Sequence, residues 1–341
     1  MDGIPPPTDP IADLINTYND LNSCAIEVLD DEPSPLEFMR YVARNTPFVV
    51  RGAASDWKAC QKWNLEHLKE ALRDINVNVA VTPAGNADSP TTRPDGSIVF
   101  AKPAYEDQPF PSFLDYVVGQ EKMQASSSSD SAHPASEVRY AQTQDDNLRH
   151  EYLSLSGDVP RDIPFARIAL QKSPDATNLW IGNSRSVTAL HRDSYENIYA
   201  QIVGRKHFVL LPPVCHACVN EQPLKPATYV RVDDENGGLT LKDDDGGEEE
   251  KTTVPFAIWD PDRPGRNTTP YSGLARPVRV TLDSGDFLYL PAMWYHKVSQ
   301  TASDEGICVA VNYWYDMEFS GPLYCLDTLL RSVYSKIEKD K

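Results

Sequence analysis

The sequence predicts a mainly β protein with flanking helices. Three observations predict it. From Phe165 onward, short β-type runs follow one another, each bounded by Gly, Pro, Asp or Ser. Amphipathic segments with capping residues precede those runs, and one more such segment closes the chain. With 341 residues and an apolar fraction of 40%, the chain has the material for a substantial core.

Asp9 is placed to cap a helix through PIADLINTYNDLN, and Ser34 to cap SPLEFMRYVARN, with Pro35 at the first helical position. PFVVRG, from Pro47, is a short strand ended by Gly52. NLEHLKEALRD is a helix with Asn64 as its cap, and NVNVAVTP alternates as a strand. Two stretches carry no period: residues 85–96, and the Ser-rich QASSSSDSAHPAS from Gln124. Both are expected to be loops without chemistry. Residues 1–135 are therefore assigned to a mixed helical region packed on the β-rich remainder of the chain.

The β-type runs are FARIAL, NLWIG, VTALHRD, NIYAQIV, KHFVLL, VRVTL, DFLYL, KVSQ and CVAVNYWY, with no helix-length segment expected among them. So many short strands at close spacing indicate a sandwich or barrel, of which the double-stranded jelly roll is one solution. This unit is assigned to residues 136–320. Within it, the acidic stretch DDENGGLTLKDDDGGEEEK at 233–251 is expected to be a solvated loop. PLYCLDTLLRSVYSKIEK, in the closing segment 321–341, is a helix. Its stripe of Leu323, Leu326, Leu330 and Val333 either covers one end of the barrel or pairs with a second copy in a homodimer.

A formal charge of −18 argues against nucleic acid as a partner, since that needs clustered Lys and Arg, and a basic protein or peptide is the expected one. Only acids near a site would contribute, because charges are screened over about 8 Å. Apolar runs fall short of the ~20 residues a membrane span needs, so no membrane association is expected. The opening MDGIPPPTDP has neither a basic nor an apolar leader region. Six scattered cysteines suit a reducing compartment, and a cytoplasmic or nuclear location is the expectation.

His191, Arg192 and Asp193 form an H-x-D at the end of a β-like run, where alternation puts His191 and Asp193 on one side. Alone, this tripeptide reads rather as an exposed ion pair or a cap. His296, ending the hairpin-like SGDFLYLPAMWYHKV, supplies a second imidazole, and two His with one carboxylate and open positions is the facial triad of non-haem Fe(II) oxygenases. A closed zinc site would want a complement to Cys215-His216-Ala217-Cys218, and none is spaced for it, so CHAC reads as a turn. His207 reads as a packed strand residue, while His67, His133, His150 and His216 have no evident partners. A 2-oxoglutarate cosubstrate would need a cation and polar donors. Lys206 is the candidate cation, with Thr188 and Asn197 flanking the ligands. Asn312, polar within CVAVNYWY, reads either as a structural hydrogen bond or as a ligand donor. Thr188 and His191 are three apart, so sharing a face requires a bulge or strand end between them.

Together PFVVRGAASDW, NLWIGNSRSVTALHRDSYENIYAQIVGRKHFVLLPP, SGDFLYLPAMWYHKVSQ and VAVNYWYDME resemble the JmjC-domain hydroxylases, from about Pro47 onward and most specifically over 178–318. The resemblance implies a cupin-like jelly roll with His191, Asp193 and His296 as iron ligands. It puts Lys206 on the 2-oxoglutarate carboxylate with Thr188 and Asn197 beside it, Asn312 and Tyr140 lining the same pocket, and Trp180 and Trp314 as its aromatic walls. It implies Fe(II), 2-oxoglutarate and O2 as cofactor and cosubstrates, with decarboxylation to succinate and insertion of oxygen into a C–H bond. The branch implies a lysine side chain of a protein, with translation-associated GTPases as the substrate class. A metal-dependent peptidase acting on histone-like basic tails is the second reading. A catalytically silent barrel is the third, and it predicts a lost ligand or a lost Lys206, neither of which occurs.

Overall fold

The computed structural model of the chain describes residues 9–126, 137–232, 238–244 and 253–339. Most of the Ser-rich stretch, much of the acidic insert, His133 and the boundary at 135/136 lie outside these.

Two sheets form a double-stranded jelly roll. One orders Glu27–Leu29, Phe48–Val50, Phe287–Leu290, Tyr195–Val203, Cys308–Asp316 and Ala176–Gly182, and the other Val278–Leu282, Arg205–Leu211, Tyr295–Thr301 and Thr188–His191. Pairing is antiparallel except between the first two strands. Residues of both sheets meet in one buried cluster, including Tyr199, Leu288 and Ala310 from the larger and Phe208, Val280 and Val298 from the smaller. Gly204, at φ 73, makes the turn between Tyr195–Val203 and Arg205–Leu211, where a Cβ would come within 2.7 Å of the Thr301 carbonyl.

The outer face of the larger sheet packs on the N-terminal region through Phe38, Phe48, Phe110, Tyr289 and Tyr313. The helices there begin where their caps predict. Asp9 accepts from the Ile11 and Ala12 amides ahead of Pro10–Leu21, and Asn64 from the His67 amide ahead of Leu65–Ala71. Ser34 and Glu37 form a capping box at Pro35–Arg44. The first helix and the closing helix, Pro322–Lys339, meet at the smaller sheet, where Ile11, Ile15, Tyr295, Leu330 and Tyr334 share a cluster with Leu211 and Cys215.

Several expectations need correction. FARIAL is not a strand. Pro164–Leu170 is a helix, with Pro164 in its first turn, because six apolar-rich residues fit either period and the proline decides. Residues 85–96 contain a strand, Ser89–Thr92, paired with Ile98–Lys102. The acidic insert is not wholly loop, since Leu239–Asp243 pairs with Glu221–Arg231. The stripe of the last helix is rotated: Asp327, Leu330 and Tyr334 are buried, whereas Leu326 is 61% exposed. No helix among the described residues is long and apolar enough to cross a membrane.

Candidate active site

Neighbouring strands of the smaller sheet carry the three candidate metal ligands. His191 stands opposite His296 in the register of Thr188–His191 with Tyr295–Thr301, and the pairing then slips, so that Thr188 stands opposite Val298. Three residue steps on one strand thus match two on the other. This is the bulge that the Thr188 spacing requires, and Thr188 lines the same pocket as His191.

Asp193 Oδ2 lies 3.6 Å from Nε2 of both His191 and His296. One ligand atom from each residue falls within 4.8 Å of the others, the one such His/Cys/Asp/Glu group among the described residues. The two 3.6 Å separations fit metal–ligand bonds of about 2.0–2.2 Å to a shared ion. The tautomers fit as well: the Nδ1 of His191 meets the Ala189 carbonyl at 2.8 Å and that of His296 meets the Trp294 carbonyl at 3.0 Å. With the proton held at Nδ1, each Nε2 turns a lone pair toward Asp193. Burial opposes charge on all three groups. At His296 burial and then His191 lower the pKa to about 4, whereas at His191 the Asp193 carboxylate outweighs burial and raises it. Asp193 is itself lowered, because the two imidazoles outweigh its burial.

The pocket beside the triad is lined by Thr188, Asn197, Tyr199, Phe208, Asn312 and Trp314, among others. Trp180 Nε1 donates to Asn312 Oδ1 at 2.9 Å, and Asn312 Nδ2 donates to Asn197 Oδ1 at 3.2 Å. Asn312 therefore makes the structural bond and also orients Asn197, which is left with its amide nitrogen as the donor at the end of the relay. Trp314 stacks on Tyr195, with ring centroids 4.8 Å apart and planes 3° from parallel. Its indole N–H is buried without an acceptor among the described residues.

Lys206 is 1% exposed. Its ammonium donates to the Tyr140 hydroxyl at 2.8 Å and sits 5.3–5.9 Å from the ring centres of Tyr140, Trp180 and Tyr199. No carboxylate among the described residues acts on it, and burial pulls its pKa down to about 8. Tyr140 arrives from outside the jelly roll, on Val138–Tyr140, and Gly182 admits its ring, since a Cβ there would lie 2.7 Å from it.

The structure thus brings together all ten residues singled out from the sequence: His191, Asp193, His296, Lys206, Thr188, Asn197, Asn312, Tyr140, Trp180 and Trp314. Sequence reasoning missed Gln144, in the pocket lining, and Asp88. Asp88 lies in the stretch expected to be a loop without chemistry, takes a left-handed backbone (φ 49), accepts from Gln142 at 3.0 Å and interacts electrostatically with His191. A non-glycine residue at positive φ is visible only in coordinates. Three histidines expected to lack partners have them, one of them His150, whose Nδ1 lies 3.3 Å from the Asp145 carbonyl. His216 is buried with Nδ1 3.0 Å from the Tyr295 hydroxyl, and His67 lies 3.7 Å from Asp158. CHAC is a buried turn, Pro213–Cys218, with no metal-ligand cluster among the described residues.

Comparison with known proteins adds a lineage to this geometry. The family described as "Cupin-like domain" matches residues 33–321. The human bifunctional peptidase and (3S)-lysyl hydroxylase JMJD7 is 37% identical over 296 residues, 86% of this chain and 85% of that protein. The Arabidopsis thaliana lysine-specific demethylase JMJ32 is 37% identical over 306 residues, 86% and 82% of the two chains. The Dictyostelium discoideum JmjC domain-containing protein E is 31% identical over 335 residues, 90% and 92%.

Proposed function

The chain belongs to the cupin-like JmjC family, whose members are Fe(II)- and 2-oxoglutarate-dependent oxygenases, and from that premise we propose that it hydroxylates a lysine side chain of a protein. His191, Asp193 and His296 would hold Fe(II), and with 2-oxoglutarate and O2 that centre supplies the oxidising power for attack on a C–H bond. Lys206 is the observation that carries the reading. A buried ammonium with no carboxylate partner is costly unless an anion arrives to pair with it. The distal carboxylate of 2-oxoglutarate is such an anion. Tyr140 OH steadies the ammonium, while Thr188 and the Asn197 amide supply neutral donors to the same carboxylate. Trp180 and Trp314, the latter stacked on Tyr195, wall the pocket. The orphaned Trp314 N–H is then a donor for an acceptor on the substrate.

A metal-dependent peptidase would use the same three ligands to activate water, and the name of the human relative keeps that second reading in view. Hydrolysis gives Lys206 nothing to do. The test is mass spectrometry of basic lysine peptides, including ones from translation-associated GTPases, incubated with and without 2-oxoglutarate. A +16 Da product that needs 2-oxoglutarate is expected. Cleavage that persists without it would replace this reading with the peptidase. Loss of 14 Da from a methylated lysine would move the oxygenation to an N-methyl carbon, the chemistry in the name of the Arabidopsis relative.

A further inference from the structure

Arg192 stands between two of the ligands, and alternation sends its side chain to the opposite side from theirs. There it meets the closing helix. Arg192 Nη1 lies 2.6 Å from Asp327 Oδ1, with side-chain exposures of 12% and 2%. The guanidinium also sits 5.1 Å from the centre of the Tyr295 ring, and Tyr295 directly precedes His296. The Tyr295 hydroxyl meets His216 at 3.0 Å, and the network returns to the same helix where Arg331 Nη2 donates to Glu221 Oε1 at 2.7 Å. One cation therefore touches both chain segments that carry the triad, and a carboxylate on a third element fixes that cation.

We propose that Asp327 is a positioning residue for the metal centre, acting through Arg192. The proposal rests on the reading of His191, Asp193 and His296 as metal ligands. Rotation about the backbone of residue 192 changes the offset between His191 and Asp193, because only that residue separates them. Backbone bonds from the Met293 amide to the Asp193 carbonyl, 2.8 Å, and from the Met317 amide to the Ser194 carbonyl, 3.0 Å, hold the chain after the ligands. The Arg192–Asp327 pair holds it between them. A buried ion pair is a poor device for stability, since packed apolar side chains of similar volume do as well or better. Its directionality suits a site whose ligands must stay within about 0.5 Å of their working positions.

The test measures Co(II) binding to the full chain by its visible absorption, and Mn(II) binding by electron paramagnetic resonance. Asp327→Asn is compared with Leu330→Ala, which removes packing from the same helix and leaves both partners of the ion pair in place. Asp327→Asn is expected to weaken metal binding roughly 10–100-fold and to alter the Co(II) spectrum. At saturating metal, its half-saturating 2-oxoglutarate concentration should stay at the wild-type value. Leu330→Ala is expected to lower the melting temperature with metal affinity unchanged. An affinity of Asp327→Asn within twofold of wild type overturns the proposal, as does an equal loss in Leu330→Ala. Should Asp327→Asn fail to fold, Asp327→Glu and Arg192→Lys keep both charges but change reach and shape, and severalfold weaker metal binding is expected of each. Wild-type affinity in both would overturn the proposal. If the wild type itself takes up no Co(II), or His191→Ala takes it up unchanged, the metal reading fails and this proposal with it.

Discussion

Two cations flank the triad, Lys206 buried and Arg192 largely so, with its side chain 12% exposed, and they are handled in opposite ways. Arg192, on the helix side, has a carboxylate 2.6 Å away and an aromatic ring beneath it. Lys206, on the pocket side, has the Tyr140 hydroxyl and three aromatic rings, but no counter-charge among the described residues. Both bear the cost of leaving water. Only one is compensated from within the fold. A paired buried cation belongs to the scaffold, whereas an unpaired one marks where the scaffold expects something from outside.

The comparison breaks if removing either cation has the same sign of effect. Replacing Arg192 by Met leaves Asp327 buried and alone, so a loss of about 3–5 kcal/mol in unfolding free energy is expected by denaturant titration. Replacing Lys206 by Met removes an uncompensated charge, so the ligand-free protein should gain up to roughly 3 kcal/mol, while the half-saturating 2-oxoglutarate concentration rises about ten- to a hundredfold. A destabilised Lys206→Met, or an unchanged cosubstrate requirement, would put Lys206 with the scaffold.

A pH series sharpens the same point. The pKa of Lys206 falls from 10.5 to about 8 on folding, so below pH 8 both states carry the proton and the folded state bears the full cost of the charge. Between pH 8 and 10.5 the unfolded chain binds more protons than the folded one, so this group's contribution to stability rises with pH across that window. The rise should vanish in Lys206→Met and shrink when 2-oxoglutarate is bound. The smallest effect is expected at the exposed face of the closing helix. If that face meets only solvent, Leu326→Ala changes stability by no more than about 0.5 kcal/mol. If instead a second copy covers it, as the alternative of a homodimer requires, the same substitution lowers the apparent mass in analytical ultracentrifugation.

Much of the jelly roll was legible because its strands alternate and end in Gly, Pro or Asp, and because the bulge at Thr188 can be had from counting residues. The candidate ligands were legible as well, once His296 joined the H-x-D. What escaped depends on contacts distant in sequence. Asp88 is an ordinary acid until a left-handed turn and Gln142 bring it to His191. His216 acquires a partner only when Tyr295 is folded over it. Asp327 drew no notice beside the leucine stripe of its helix, and nothing local reveals that it faces inward to an arginine 135 residues earlier. Pro164–Leu170 failed for a different reason, being too short for its period to speak.

The register that pairs His191 with His296 also has a bearing on how the protein is made. On the ribosome, His191 and Asp193 emerge about a hundred residues before His296, and no local hairpin can substitute for the missing ligand. Non-local closures of this kind are slow, because the loop entropy is lost before any contact compensates it. The nascent chain therefore carries two of the three candidate ligands without the third while those hundred residues are made, and the third arrives with Tyr295–Thr301, ahead of the last jelly-roll strand, Cys308–Asp316. On the proposed reading of the triad, metal loading would be a late event, and tight metal binding would report that the two sequence-distant strands have paired.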